Sequence, residues 1–335
     1  MKYQALDTIS RTRNALKHSL TAFACLMLAM LTGCQTITPS ASTSNNPIST
    51  QAQNILIVNS NLSIERYRVA EQAFRETLAK AKENQPKLDF VDLSAVNNPI
   101  PLLQDTLNHG SYDRIYCIGA KALGSIDYIN PKQPVVFSSV LNWQRFQNQS
   151  GVSGVASDIA VASQFTILKH VFPNVQSVGV IYSQSNQGLI KQAQQAAEAV
   201  DLRLELVKID SPNHALEDLQ ELANSVDVLW LLPDPLVISS TSQAKALFTQ
   251  ADQLKLPIFT TNRLFKALGA TLTISADLPT VGRQAAMLMN TTKHRPEDTI
   301  HYPVGSHITL NLNKVEQYKL ELNYQALDSV NELQE

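Results

Sequence analysis

From Asn54 onward the chain alternates between two hydrophobic rhythms. Short β-branched runs, ILIV at 55–58, LDFVDL at 88–93, RIYCI at 114–118 and PVVF at 134–137, have the length and composition of strands. Between the first two, Ile64, Tyr67, Ala70, Phe74, Leu78 and Ala81 recur every three or four positions, which predicts an amphipathic helix, with Ser63 placed to cap it and Glu65 in its first turn. A second series follows: SVGVIY at 177–182, LRLELVKI at 202–209, VDVLWLL at 226–232, PIFTT at 257–261 and ATLTIS at 270–275. Its helices carry Leu189, Ala193, Ala196 and Val200, then Leu247, Ala251 and Leu254. Continuously apolar strands separated by amphipathic helices predict an α/β chain with parallel sheets covered on both faces.

Two such series predict two doubly wound parallel-sheet lobes joined by a multi-strand hinge. The N-terminal lobe is expected to comprise 54–140 plus about 276–335, and the C-terminal lobe about 152–275. Leu141–Gly151 (LNWQRFQNQSG) has no clear period and is the expected first crossover. A helix at Pro279–Met289, with proline in its first turn, and a late strand, HITLNLN, exceed what the second lobe needs and are expected to return to the first. Open parallel sheets place ligands at the carboxyl ends of their strands, which here would face each other across a cleft.

The amino end follows another pattern. Residues 1–18 carry net positive charge, Leu20–Leu31 form an apolar run, and Thr32 and Gly33 are small, which is the layout of a secretory signal peptide over residues 1–33. The run is well short of the roughly 20 residues a lasting membrane span needs. Leu31-Thr32-Gly33-Cys34 resembles a bacterial lipobox, which implies diacylation of the Cys34 sulfur, cleavage before it and retention on a membrane by lipid. At about 0.8 kcal/mol per buried methylene, two or three acyl chains hold a protein down essentially permanently. Residues 34–53 then form the lipidated cysteine and a tether rich in Ser, Thr, Asn and Pro, spanning roughly 25 Å on average. The expected location is the cell envelope, facing the periplasm or on the outer face of the plasma membrane, with inner and outer membranes both open. Cys25 leaves with the signal and Cys117 lies in an apolar stretch, so an acylated Cys34 leaves no disulfide in the mature chain.

Composition narrows the function. The 335 residues are 44% hydrophobic and 17% charged, the balance of a globular chain long enough for about two domains. Setting aside the basic leader leaves 23 basic and 28 acidic residues, net −5, which is no footprint for phosphate backbones and predicts no nucleic-acid partner. The sequence has no GxGxxG, Walker A, GxSxG, HExxH or CxxC pattern, which shifts weight from catalysis and cofactors to binding. Gly151-Val152-Ser153-Gly154 misses a nucleophile elbow by one position and reads as a turn into a short strand. His294, His301 and His307, spaced by seven and six, suit neither one helix face nor a zinc template, so no metal site is predicted.

The stretch Gly151–Tyr182 (GVSGVASDIAVASQFTILKHVFPNVQSVGVIY) resembles the tryptophan/tyrosine-type substrate-binding proteins of ABC transporters, which have a type 1 periplasmic binding fold. Further matches are Ile118-Gly119, Pro134–Phe137, Leu256-Pro257-Ile258-Phe259 and Gly282-Arg283-Gln284, in the family's order over most of 54–320. The resemblance implies a non-enzymatic monomer that captures a small polar or aromatic, amino-acid-like solute and delivers it to an ABC permease. On the same fold, a sensor or a partner-binding outer-membrane lipoprotein is the alternative.

Ligand groups in this family sit in the loops after the strands. In this chain those loops hold Ser60, Asn61, Ala120, Lys121, Ser138, Ser139, Ser183, Ser185, Asn186, Asp234, Thr261, Asn262, Ser275 and Asp277. Loop hydroxyls and helix-start amides suit a carboxylate, and Asp234 or Asp277 suits an ammonium; the same residue types also cap helices. Where the family often reads Thr-Asp-Pro, this chain has Leu141-Asn142-Trp143, which exchanges a carboxylate for an indole. Trp143 is therefore added as a stacking surface for a flat ligand or as a hydrophobic plug. Lys121 and Arg263, at loop starts, would favour an anion.

Overall fold

The computed structural model describes residues 53–80, 85–141, 143–146, 151–291 and 300–335. The signal segment, Cys34, nearly all of the tether, Ala81, Asn142 and His294 lie outside the described residues.

The chain begins with β1 (Asn54–Asn59), α1 (Glu65–Ala79), β2 (Lys87–Asp92), α2 (Pro99–His109), β3 (Arg114–Ile118), α3 (Ala120–Ile129) and β4 (Val135–Ser138). A 3-10 turn at Trp143–Phe146 precedes β5 (Val152–Val155) and α4 (Val161–Val171). The second series runs β6 (Ser177–Tyr182), α5 (Gln187–Glu198), β7 (Arg203–Lys208), α6 (Ala215–Leu222), β8 (Val228–Leu231), α7 (Thr241–Gln253), β9 (Ile258–Thr260) and β10 (Leu272–Ala276). Then come α8 (Leu278–Thr291), β11 (Ile300–His301), β12 (Ser306–Asn311), α9 (Leu312–Tyr318) and β13 (Glu332–Gln334). No helix among the described residues is long and apolar enough to cross a membrane.

The strands form two sheets. The first has the order β11-β5-β4-β3-β1-β2 and is parallel throughout. The second has the order β13-β12-β10-β9-β8-β6-β7 and is parallel except where β12 runs against β10. This is the α/β architecture that the strand and helix rhythms predict. Central strands are buried along their whole length, as in β3 and β6, whereas the edge strands β2 and β7 are half-exposed because one flank has no neighbour.

Two strands join sheets other than those expected. β5 pairs with β4, Val135 opposite Val152, so 152–155 belongs with the first sheet. The crossover therefore lies at 156–160, and the 3-10 turn Trp143–Phe146 stands instead between two neighbouring strands of one sheet. The late strand β12 does not return to the first sheet. It pairs with β10 in the register Ser275 opposite His307, burying Ile308 and Leu310 and covering the backbone edge that β10 would otherwise expose. The return is made by β11, beside β5, and by α8, which packs on α1 so closely that a Cβ at Gly282 would lie 2.1 Å from the Ala70 carbonyl oxygen.

The helices follow their predicted faces with local differences. Tyr67, Ala70, Phe74 and Leu78 are buried in α1, but Ile64 is exposed and occupies the N-cap position without a side-chain cap. Ser63 does not cap: its N–H donates to the Asn61 side chain, which builds the turn instead. In α5, Ala193 and Ala196 are buried, while Val200 falls beyond the helix end. One apolar cluster is continuous from Ile55 and Phe74 through Phe165 to Trp230 and Ile274, so side chains of both sheets share a core at the crossovers. Within it the Trp230 indole donates to buried Gln164 at 3.1 Å, and Gln164 donates to the Ile159 carbonyl, which pins the first crossover to β8.

Candidate functional site at the strand ends

Parallel pairing puts the carboxyl ends of β1, β3, β4 and β5 on one edge of the first sheet. Ser60, just past β1, is buried, and its hydroxyl accepts the Ala122 N–H at 2.9 Å, satisfying a free amide at the start of α3. Gly119 sits against it with φ +86°; a Cβ there would lie 2.6 Å from Ser60 Oγ and 2.7 Å from Tyr67 Cζ. Ala120 opens α3. Asn61 is half-buried, and its side-chain oxygen accepts from the Ser63 N–H and the Ser94 hydroxyl. The Ser138 hydroxyl is 2.6 Å from that of Tyr116, and Ser139 is buried with φ +57°.

Lys121, expected to favour an anion, braces a loop. Its ammonium donates to the carbonyls of Leu93 and Val96, where it ties down the loop after β2.

A second group of residues gathers where the chain crosses over. Trp143 is only 8% exposed and meets Tyr302, just after β11, edge to face. The Tyr302 hydroxyl donates to Gln192 of α5 at 3.2 Å. Asp158, in the crossover after β5, is half-buried beside the Trp143 indole and the Ser157 hydroxyl. Burial pushes its carboxyl above the usual carboxylate range, against the opposing influence of the Trp143 indole, the Ser157 hydroxyl and the Arg66 guanidinium. Trp143 Nε1 and Arg66 Nε are buried and make no well-aligned hydrogen bond. Burial, reinforced by the Asp158 charge, raises the Tyr302 phenol as well. Arg66 donates to the Tyr67 hydroxyl at 3.2 Å, which brings it next to the Ser60 and Gly119 group.

In the second sheet Ser183, Asn186 and Asp234 form one knot. Asp234 is 1% exposed and accepts from the Ser183 N–H at 2.7 Å, the Asn186 amide at 2.8 Å and the Leu236 N–H at 2.9 Å. Burial alone would raise its carboxyl, but the donors, Asn186 foremost, hold it below the usual range. The Ser183 hydroxyl lies 2.8 Å from that of exposed Ser185. Asn262 caps the 3-10 turn Arg263–Leu268 by accepting the Leu264 N–H, beside half-buried Thr261. Arg263 itself is exposed.

Asp277 accepts from both the N–H and the hydroxyl of Thr280 and pairs with Arg283 at 3.4 Å; Ser275 donates to the His307 carbonyl. Both Asp234 oxygens and Asp277 Oδ2 join a strand end to the next turn or helix.

The expected residues thus separate into two local groups, most of them capping or bracing, with Trp143 in a third. Asp158, Arg66, Tyr67 and Tyr302 escaped the sequence reading. Asp158 was within reach of the same reasoning, since it follows a strand, but that strand was assigned to the second lobe. Arg66 and Tyr302 had no such signal, because only packing brings a helix start and a hinge strand to the same place.

Ser153 is buried mid-strand with its hydroxyl unpartnered, so the near-miss to a nucleophile elbow is a strand entered from Gly151, φ +81°. Among the described residues no group of three or more His, Cys, Asp and Glu is placed to hold a metal. A surface hollow of about 400 Å³ between α6 and α7, lined by Gln220, Thr249, Gln250 and Gln253, lies on helices and carries no charged side chain.

Residues 71–331 match the family model described as ABC transporter substrate binding protein. Among solved structures, a substrate binding protein with adhesive properties from Clostridium difficile, in its ligand-free, open form, is 15% identical, with 84% of this chain and 99% of that one covered at TM-score 0.67. A domain from Streptococcus pneumonia in complex with L-Trp is 16% identical, covering 84% and 100% at TM-score 0.55. A conserved domain protein from Vibrio cholerae is 18% identical, covering 85% and 100% at the same score. At these identities the likeness establishes the fold, that of the type 1 periplasmic binding proteins. None of the curated proteins compared with the chain is significantly similar to it. With two mostly parallel sheets joined through several crossovers, and with the family model spanning more than three-quarters of its length, the chain belongs to the ABC transporter substrate binding protein family.

Proposed function

We propose that this protein is an exported, lipid-anchored receptor that captures a small polar or aromatic solute between two lobes and hands it to an ABC importer, without catalysing a reaction. One lobe is the first sheet with α8 and β11; the other is the second sheet with β12 and β13. The observation that carries the reading is the cluster at the crossovers. Trp143, Tyr302, Arg66 and Asp158 bring aromatic faces, two buried donors and a carboxylate together at the carboxyl edge of a parallel sheet, beside the segments about which such lobes hinge.

The solute bound by the Streptococcus relative, L-Trp, has the same mixture of flat apolar surface and charge. Anchoring through Cys34 is supported by the lipobox-like join and the leader before it. Handing on requires release, so a micromolar dissociation constant, about −8 kcal/mol, is the expected scale. Purified full chain in detergent, tested by thermal unfolding against amino acids, nucleosides, sugars and organic acids, is expected to gain about 4 kcal/mol at a 1,000-fold excess over the dissociation constant. Absence of any shift, together with no co-purifying small molecule in a native mass spectrum, would reject capture.

A further inference from the structure

Tyr302 lies just past β11, where the chain leaves the first sheet for β12, and three contacts fix this pass. Gln284 of α8 donates to the Tyr302 carbonyl at 3.0 Å and accepts the Val304 N–H at 3.2 Å, so one amide clamps the linker twice. The Asp277 N–H donates to the Gly305 carbonyl at 3.1 Å, which ties the linker to the pass leaving β10. The Trp143 indole meets the Tyr302 ring edge to face and restricts its rotation. So aimed, the Tyr302 hydroxyl donates at 3.2 Å to Gln192, exposed on the helix that follows β6. The polar groups at the strand ends make no such link. Ser60, Asn61 and Ser138 bond within one lobe, Ser183, Asn186 and Asp234 within the other, and among the described residues no hydrogen bond joins the two sets.

We propose that Tyr302 and Gln192 are positioning residues for capture: their hydrogen bond is a latch that holds the lobes in the arrangement described here, and it opens when the two sets of strand-end groups close on a solute. Gln284 and Trp143 hold the tyrosine on the side of the first sheet, whereas Gln192 moves with α5 and the second sheet, so rotation of one lobe against the other acts on this bond. A bond between a hydroxyl and an exposed amide is a modest net contribution, because water replaces it readily. A modest contribution is enough for a balance between two arrangements, where the affinity for a solute scales with the population able to close. Removing either partner therefore favours closing and tightens binding. The device deepens the capture reading and rests on it.

The test measures the lobe distance directly, by pulsed electron paramagnetic resonance on the full chain in detergent. Spin labels are placed by Glu65→Cys, at the start of α1, and Leu264→Cys, 78% exposed in the turn after β9, so that they stand on opposite lobes at the carboxyl ends of β1 and β9. Cys117 is buried and Cys34 is the proposed acylated residue, so neither takes the label. Without any added solute, Tyr302→Phe, which keeps the ring against Trp143, and Gln192→Ala are each expected to raise the ratio of short to long distances about 2- to 10-fold, and the double variant no further. Gln192→Glu, which keeps an acceptor oxygen, is expected to match the parent. Unchanged distances, a shift to longer ones, or a Gln192→Glu chain that behaves like Gln192→Ala would overturn the latch. Calorimetry with L-Trp and the other L-amino acids supplies the second reading: Gln192→Ala is expected to bind about 2- to 10-fold more tightly than the parent, and equal or weaker binding would overturn the latch while leaving capture standing. A parent chain that binds no amino acid, nucleoside, sugar or organic acid would reject capture, and the distances would still decide the latch.

Discussion

Trp143 and Tyr302 meet edge to face, their ring centroids 5.9 Å apart and their planes at 85°. One ring belongs to the turn before β5 and the other to the return strand β11, so the contact joins two separate passes of the chain beside the crossovers. Such pairs contribute about 0.5–1.5 kcal/mol beyond the area they bury. A double-mutant cycle with Trp143→Leu and Tyr302→Leu, followed by urea unfolding, is expected to return a coupling in that range. Tyr302→Phe keeps the ring and loses only the bond to Gln192, so it should cost about 1 kcal/mol or less.

Asp158 and Asp234 predict opposite responses to pH. Hydrogen bonds hold the folded Asp234 below its ordinary 3.8, so its stabilisation is present above that value and is lost as pH falls through the lower folded pKa. Asp227, bonded to the Gln176 and Ser177 backbone and the Ser177 hydroxyl, acts with the same sign. Unfolding midpoints should therefore drop as pH falls below about 4, and Asp234→Asn should flatten part of that fall while lowering stability at neutral pH.

For Asp158 the folded pKa lies above the ordinary 3.8, so its charged form costs stability once pH rises past that raised value. Asp158→Asn is expected to raise the melting temperature of the ligand-free chain at neutral pH. A lower melting temperature would mean that its interactions with Trp143, Ser157 and Arg66 outweigh the cost of burying it.

Gly119 leaves no space for a side chain. With φ +86° and Ser60 Oγ and Tyr67 Cζ both inside 3 Å of an added Cβ, Gly119→Ala must either distort the backbone or displace the Tyr67 ring. A loss of about 1–3 kcal/mol is expected on chemical unfolding. The control Gly188→Ala, in α5 with open space around its Cβ, should be neutral or stabilising by up to about 1 kcal/mol.

Cys34→Ser removes the sulfur that the proposed lipid anchor requires. Fractionation of cells producing this variant should find it released from the membrane, with no acyl mass on the protein. Undiminished retention would assign anchoring to another segment.

The alternation of β-branched runs with three-to-four-residue periods was enough to determine an α/β chain with parallel sheets, because apolar strands can be buried on both faces only under helices. The polar residues after each strand were equally legible, and most of them proved to be caps and braces. Which sheet each strand joins was decided only by folding. Val152–Val155 and Ser306–Asn311 are short and apolar enough to lie beside several neighbours, and the choice fell to the open backbone edges of β4 and β10. The candidate site was decided at the same level. Arg66, Trp143, Asp158 and Tyr302 are scattered over more than 230 positions of the chain, and their convergence depends on β5 and β11 lying side by side, which no local spacing encodes.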